Sequence, residues 1–460
     1  MSIVMKFGGT SVADAAAFDN VARIVAAERN ALPVVVVSAM SGVTDSLLAA
    51  TAIAADGDAK QAVASLQSVF NRHTVAAKEL LSEHSRAEFL NELNGATDYL
   101  FARLYDVSHL PSQRAALQDA VVSFGEILSS TLLAAVLNER GVEARQVDAR
   151  RCIITDEEHT CAIPYMAETF AHTRSELQPH IESGIVPVLG GFIAATTHGA
   201  TTTLGRGGSD YTAALIGAAL SANEIQIWTD VTGVLTADPR VVPEAQTVER
   251  LSYSEAAELA YFGAKVLHPK TIQPAIENAI PVRICNSHAP EESGTLVGPT
   301  ETSPGTLKAI AHKTGVTIVQ ITSARMLGAY GFLSALFDIF DRYRTVIDVV
   351  TTSEVSVSLS LDDARSLPAI VEELQRLGTV RIEKGRAIVC VVGEGLRGTP
   401  GIAARAFSTI SDINVSLISQ GASSINFTFA VEEEHAKEVV TRLHEEFFGH
   451  KRVQKLKEAS

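Results

Sequence analysis

The chain has 460 residues and a net charge of -15, and is 46% apolar but only 6% aromatic. This length implies two or three domains, and cores short of aromatics must be filled by Val, Ile, Leu and Ala, as buried parallel strands are. The acidic balance excludes nucleic acid and an anionic membrane as the main partner, because both reward a basic surface.

Ile3–Phe7 reads as a short apolar strand, without the apolar core of a secretory leader. A Gly-Gly turn follows, then a helical stretch from about Ala13 to Glu28. Pro33–Ala39 holds four consecutive valines, which suit a strand buried on both faces. Helical patterns fill 43–139, and Gly141 is a helix stop. Val142–Val147, Ile185–Leu189, Glu224–Trp228 and Pro281–Cys285 are further strands, with helices between them. This alternation predicts a mainly parallel sheet covered by helices on both faces. No apolar run reaches about 18 residues, the length of a membrane span. Cys152, Cys161, Cys285 and Cys390 contain no Cys-x-x-Cys pair and read as reduced thiols of a cytoplasmic protein, with no metal site built from protein ligands.

Glu301–Thr306 is polar, carries Pro and Gly, and predicts a linker. Beyond it the pattern changes. Gly331 opens a helix with Phe332, Leu333, Leu336, Phe337 and Phe340 on one face, and in Val346–Leu361 the residues Val355, Val357, Leu359 and Leu361 alternate with serines. Gly401 opens a second helix with Ile402, Ala403, Ala406, Phe407 and Ile410, followed by alternating Ile425, Phe427 and Phe429. Gly331 and Gly401 are 70 residues apart, as are Phe337 and Phe407, Ser353 and Ser423, and Val357 and Phe427. Two copies of a small strand–helix unit explain one offset carrying so many matches. Ala309–Lys313 and Val316–Thr322 are strand-like runs ahead of the first helix, and one of them would complete the second copy by interleaving.

Four stretches carry chemistry. Lys6-Phe7-Gly8-Gly9-Thr10-Ser11 ends the first strand. Glycines there let backbone N–H groups and a helix N-terminus approach phosphate oxygens, and Lys6 adds a full charge; a plain strand-to-helix turn explains the pattern equally well. Thr203-Leu204-Gly205-Arg206-Gly207-Gly208-Ser209-Asp210-Tyr211 opens another helix. Asp210 alone would serve as a helix cap, but Arg206 in a flexible glycine turn has nothing to pack on, which favours anion binding. Trp228–Arg240 is a strand exit rich in Asp, Gly and Pro, where a nucleotide would lie on a sheet's carboxyl edge. Ser123-Phe124-Gly125-Glu126 sits inside an apolar helix, where Gly costs about 1 kcal/mol relative to Ala. Either a ligand approaches there or two helices pack closely.

With Ser38-Ala39-Met40-Ser41-Gly42-Val43-Thr44, Asp238-Pro239-Arg240 and Phe262–Pro269, these stretches stand in the order of the aspartate kinases of the amino-acid kinase family, which the chain resembles over nearly its whole length. The resemblance implies an α/β amino-acid kinase fold over 1–300, a mainly parallel sheet sandwiched by helices. The linker 301–306 and two ferredoxin-like ACT domains at 307–385 and 386–455 would follow, unless the two are interleaved. The implied reaction moves the γ-phosphoryl group of ATP to the β-carboxylate of L-aspartate, with Mg²⁺ riding on the phosphates. It opens lysine, threonine and methionine biosynthesis.

The resemblance also implies roles. Lys6 would bridge the transferring group, Asp210 would organise Lys6, and Gly8 and Gly9 would lie at the phosphates. Arg206 would grip the α-carboxylate of aspartate and Glu126 its α-ammonium, with Ser38, Ala39, Thr44 and Ser209 completing the pocket. Thr229, Asp230, Leu235, Arg240 and Lys265 would hold ATP, although the family commonly has Tyr at the position of Leu235. Met326, Phe332, Leu333, Asp348, Ser353 and Glu354 match a lysine-sensing pattern, implying feedback by lysine. Gly328, Ala329 and Arg344-Thr345-Val346 depart from that pattern. A homodimer through the ACT domains, or a tetramer, is implied, and a fused homoserine dehydrogenase is not expected. A glutamate kinase and a catalytically silent amino-acid sensor remain as alternatives, disfavoured by Glu126 with Arg206 and by the intact Lys6, Arg206 and Asp210 respectively.

Overall fold

The computed structural model describes residues 2–263, 267, 269–299 and 307–458, with side chains as far as 449. Lys265 and the expected linker Glu301–Thr306 lie outside the described residues. The chain divides into two units, Met1–Val234 with Val266–Pro299, and Leu235–Lys265 with Thr300–Ser460.

The first unit is built on a central sheet. Its strands run in the order Ala144–Val147, Val186–Gly190, Pro33–Val37, Ile3–Phe7, Glu224–Thr229 and Val282–Asn286, all parallel. Thr295–Gly298 then pairs antiparallel with the last of these. Every residue of Pro33–Val37 is buried, as the valine run requires. Met5 and Phe7 face the helices Ala15–Ala27 and Phe124–Glu139, joining Phe18, Val21, Leu132 and Leu133 in one core. Val4 points the other way, toward the helix Gly208–Leu220 that packs on the same strand. Because the strands are parallel, Gly8, Ser38, Gly191 and Asp230 all leave the sheet at one edge, the edge where ligands of open α/β sheets bind.

Strand limits differ from the sequence expectation by a residue or two, but two features were not expected. The helical region 43–139 is cut into Val43–Ala55, Ala59–Ser65, Gln67–Leu80, Glu83–His109, Arg114–Val122 and Phe124–Glu139. The break at Ser123 puts Gly125 and Glu126 in the first turn of a new helix, not in a helix interior. In addition, Ile154–Thr155, Ile193–Thr196 and Thr201–Thr203 form a small separate sheet that delivers the chain to the Arg206 turn. The run 111–139 is long and apolar enough to cross a membrane, yet 78% of its apolar window is buried inside the unit, as in a core helix.

The second unit holds a six-stranded antiparallel sheet in the order Val350–Thr352, Ser356–Leu361, Leu307–Thr322, Thr379–Gly393, Asn426–Glu432 and Leu417–Gln420. Its two long central strands change register where Gly315 and Gly385 take positive φ. Val316–Thr322 thus pairs with Ser356–Leu361 on one side. Leu307–Lys313 pairs with the half of Thr379–Gly393 that continues to Asn426–Glu432. One core gathers Leu336, Ile339 and Phe340 with Val357, Leu359 and Leu374, and the other gathers Ala406, Ile410, Phe427, Phe429 and Leu443. The expected apolar face of Phe332–Arg342 is only partly used. Leu333 and Phe337 are 39% and 37% exposed, beside Leu327 at 67% and Tyr330 fully open.

Phe340 is 1% exposed in the smaller core. Phe340→Ala is expected to cost about 3–5 kcal/mol in the unfolding of that unit, read by urea titration with a probe in the second unit. An unchanged midpoint would show that Phe340 is not packed as described.

Candidate active site

Strand alternation turns Lys6, next to last in the central strand, toward the first turn of Gly208–Leu220, which carries Asp210. Lys6 Nζ stands 2.6 Å from Asp210 Oδ1, with the two side chains 12% and 17% exposed. Oδ1 has no aligned hydrogen-bond donor, so the contact is a close ion pair. Gly8 donates its N–H to the carbonyl of Trp228 at 3.1 Å, and a single short turn, Gly9–Val12, follows. The Gly8 N–H is thus engaged within the protein, and the turn Gly9–Val12 stands between this bend and the helix Ala15–Ala27. The charge here comes from Lys6.

A cleft of about 800 Å³ brings together Lys6, Gly8, Gly9, Ser38, Ala39, Thr44, Glu126, Arg206, Ser209, Asp210, Thr229 and Asp230. The Arg206 turn is shaped by Gly207, at φ 75°, where a Cβ would lie 2.6 Å from Thr271 Cγ2. Arg206 itself is exposed and has no ion pair among the described residues. Thr229 Oγ1 donates to Asp230 Oδ1 at 3.1 Å, and the Thr229 carbonyl accepts from the Ser287 N–H at 2.8 Å. Leu235 and Arg240 belong to the second unit. Leu235 bridges to Thr247, and Arg240 pairs with Asp238 at 2.7 Å, so its guanidinium already has a carboxylate.

Glu126 is 3% exposed, and its Oε2 is buried without a partner. Burial pushes its carboxyl up to about 8, against weaker stabilisation of the anion by backbone groups at Ala39 and Glu126. Its neighbour Gly125 is a packing residue, since a Cβ there would meet Ala39 Cβ at 2.6 Å and Val43 Cγ1 at 3.2 Å. Of the two readings of that glycine, helix packing holds and ligand approach does not. Of the two residues, Glu126 is the one that lines the cleft.

The sequence reading missed Asp119, His159 and Thr160, and gave Thr203, the first residue of the Arg206 stretch, no role of its own. Asp119 is fully buried and accepts from Thr203 Oγ1 at 2.6 Å and from Thr160 N–H and His159 Nδ1 at 2.9 Å each. Burial raises its carboxyl and these donors oppose the rise. The available signal was a carboxylate next to buried Val121 and Val122 on a short apolar helix.

The expected effector residues lie in the second unit but are not gathered in one place. Met326 and Phe332 are half-buried, and Leu333, Ser353 and Glu354 are exposed. Ser353 donates its N–H to Ser356 at 2.8 Å, whereas Asp348 donates its N–H to Ser360 at 3.0 Å. Four residues of strand separate those anchors, about 13 Å, so Asp348 stands apart from Ser353 and Glu354. Asp348 accepts from the Tyr261 hydroxyl, lies 3.8 Å from Lys313 Nζ, and leaves Oδ2 buried without a partner. Burial raises its carboxyl to about 6, with the neighbouring Asp362 adding to the rise and the Tyr261 hydroxyl and Lys313 ammonium opposing it.

Two outcomes follow. The native state keeps the Glu126 proton up to about pH 8, while the unfolded chain loses it near 4.5. The native state then binds more protons across that window, so this group's contribution to stability falls as pH rises through it. Melting temperatures of Glu126→Gln relative to the parent are expected to shift in the variant's favour between pH 5 and pH 9; a shift toward the parent contradicts the buried, protonated carboxyl. Gly125→Ala is expected to cost about 1–3 kcal/mol by overpacking, measured as the change in denaturation midpoint.

The sequence profile of the amino acid kinase family matches residues 1–286, and that of an ACT domain matches 389–447. Lysine-sensitive aspartokinase 3 of Escherichia coli K12 is 37% identical, the alignment covering 97% of this chain and 99% of that protein. Chloroplastic aspartokinase 1 of Arabidopsis thaliana is 39% identical over 97% of this chain and 80% of its own length. The crystal structure of E. coli aspartokinase III in complex with aspartate and ADP superimposes with a TM-score of 0.80 at 36% identity, covering 97% of this chain and 100% of that one. The chain belongs to the amino acid kinase family, among the aspartokinases.

Proposed function

We propose that this aspartokinase transfers the γ-phosphoryl group of ATP to the β-carboxylate of L-aspartate, giving 4-phospho-L-aspartate, with the named cleft residues acting as follows. The observation that carries the assignment is the presence, in one cleft, of the Lys6–Asp210 pair, an Arg206 with no ion pair among the described residues, and a buried Glu126 whose Oε2 has no hydrogen-bond partner among them.

A β-carboxylate has an ordinary pKa of about 4 and is already an anionic nucleophile, so the reaction needs no general base. The obstacle is repulsion. Two unit charges about 4 Å apart at an effective dielectric of about 20 interact by about 4 kcal/mol. Lys6 bridges the transferring group and offsets this, Asp210 holds Lys6 in place, and alignment of the reactants supplies much of the rest. ATP enters as its Mg²⁺ salt, the ion carried by the phosphates and neutralising part of their charge. Gly8, Gly9, Thr229 and Asp230 form the nucleotide side of the cleft within the first unit. Arg206 takes the α-carboxylate of aspartate through its planar fork. Glu126 takes the α-ammonium, releasing its own proton to solvent, and Ser38, Ala39, Thr44 and Ser209 fill the space between.

The reaction opens lysine, threonine and methionine synthesis in the cytoplasm, and lysine acts as feedback inhibitor. A full-length relative named lysine-sensitive supports this, as does the unpartnered, buried Asp348 Oδ2, which suits an ammonium. The exposed Leu327, Tyr330, Leu333 and Phe337 suit burial against a second copy, giving a homodimer through the ACT domains. The domain limits are a kinase domain at 1–300, a linker at 301–306, and ACT domains at 307–385 and 386–455. Pairing of Leu307–Lys313 with the second repeat supports interleaving of the two.

Trapping the acyl phosphate with hydroxylamine is expected to yield product from aspartate and none from glutamate; product from glutamate alone would make this a different amino-acid kinase. Lys6→Ala is expected to lower kcat by about 10²–10³-fold or more while ATP binding, followed by calorimetry, persists. Full turnover in that variant would remove Lys6 from the chemistry.

A further inference from the structure

The helix Arg114–Val122 carries a buried carboxylate that the reaction does not use. Asp119 sits behind the cleft wall and holds two segments that meet beneath the Arg206 turn. On one oxygen it accepts from Thr203 Oγ1 at 2.6 Å. Thr203 ends the short strand that runs directly into Gly205-Arg206-Gly207. On the other oxygen it accepts from Thr160 N–H and His159 Nδ1, each at 2.9 Å. Thr160 has φ 70°, a left-handed backbone that a β-branched residue rarely adopts. The Thr160 carbonyl and Cys161 Sγ are the atoms nearest Gly205, 3.4 and 3.3 Å from where a side chain on it would begin. Thr160, Thr203, Gly205 and Arg206 all line the cleft, and Asp119 does not.

These contacts form a closed circuit. A strained residue keeps its backbone only where its surroundings over-determine it, and here the Asp119 carboxylate supplies the acceptor for the Thr160 N–H. Removing that acceptor would take from Thr160, an exposed residue, the part-buried hydrogen bond that holds its left-handed backbone, and the loop would relax. Gly205, packed directly on the loop, would move with it.

We propose that Asp119 is a positioning residue for recognition of the amino-acid substrate: by tying Thr203 to Thr160 it sets the turn that presents Arg206, without touching substrate itself. The proposal rests on the reading that Arg206 grips the α-carboxylate of aspartate.

The test is steady-state kinetics with each substrate varied in turn. Asp119→Asn preserves size and the acceptor for Thr203 but turns an amide N–H₂ toward the Thr160 and His159 donors. It is expected to raise KM for aspartate by about ten- to a hundredfold, with KM for ATP changed less than about twofold, the scale of a contact left intact. Adding Thr160→Gly to Asp119→Asn is expected to bring KM for aspartate back toward the parent value, because glycine accepts the left-handed backbone without help. A merely structural role would raise both KM values together and would not be rescued. An unchanged KM for aspartate, an equal rise for both substrates, or no rescue overturns the proposal. Should Asp119→Asn fail to fold, Thr203→Val breaks the 2.6 Å link at nearly constant shape and must give the same split. Arg206→Ala separates the two claims. If it leaves KM for aspartate unchanged, the reading of the cleft falls and this proposal with it. If it raises that KM while Asp119→Asn and Thr203→Val do not, only the role of Asp119 falls.

Discussion

Two anions have to meet in this cleft, and in the proposed reading the place is set by Lys6, held 2.6 Å from Asp210. The lysine stem has four carbons and would lose up to about 2 kcal/mol of rotamer freedom on being fixed by a ligand alone. Here most of that ordering precedes the ligand. Lys6 stands at the end of a strand paired on both sides, and Asp210 stands in the first turn of a helix packed on the same strand. Sheet pairing and helix packing therefore fix both ends of the ion pair. Because a Coulomb interaction weakens with distance, that placement is what makes a single ammonium effective between a carboxylate and a triphosphate.

Glu126 presents the opposite arrangement, a charge made costly in the absence of its partner. Its place in a first helical turn favours the anion. Burial opposes this and wins, since the side chain is 3% exposed and one oxygen has no partner. The carboxyl stays protonated in the free protein until a cation arrives that can replace the missing solvation. Arg206 is the reverse case, exposed and unpaired among the described residues. In the proposed roles the two ends of a zwitterion would thus be read differently: one by a group that must be recharged, the other by a group that must be aimed.

Much of the first unit was legible because parallel strands buried on both faces appear as plain apolar runs, and Pro33–Val37 is the clearest case. The Arg206 turn stood out because an arginine between glycines has nothing to pack on, whereas the glycine turn after Lys6 reads equally well as a plain strand-to-helix turn. Other features depend on contacts far apart in the chain. Asp119 and Thr203 are 84 residues apart, and nothing local in either announces the other. The helix break at Ser123 has no Pro, and the glycine nearby serves packing against Ala39, so propensity pointed to one continuous helix. The small sheet is made of short Thr- and Ala-rich strands with weak alternation. In the repeats, periodicity identified apolar helix faces but not what covers them. Leu336 and Phe340 enter the core, whereas Leu333 and Phe337 stay open. The lysine-sensing pattern likewise named residues that one copy of the chain does not gather, with Asp348 tied instead to Tyr261 and Lys313.

The most direct measurement is proton release on aspartate binding, by titration calorimetry at pH 7 in buffers of different ionisation enthalpy. With the Glu126 carboxyl at about 8 in the free protein, close to one proton should leave per aspartate bound, and none in the Glu126→Gln variant. Binding without proton release in the parent protein, or equal release in both, would contradict a buried carboxyl waiting for the substrate ammonium.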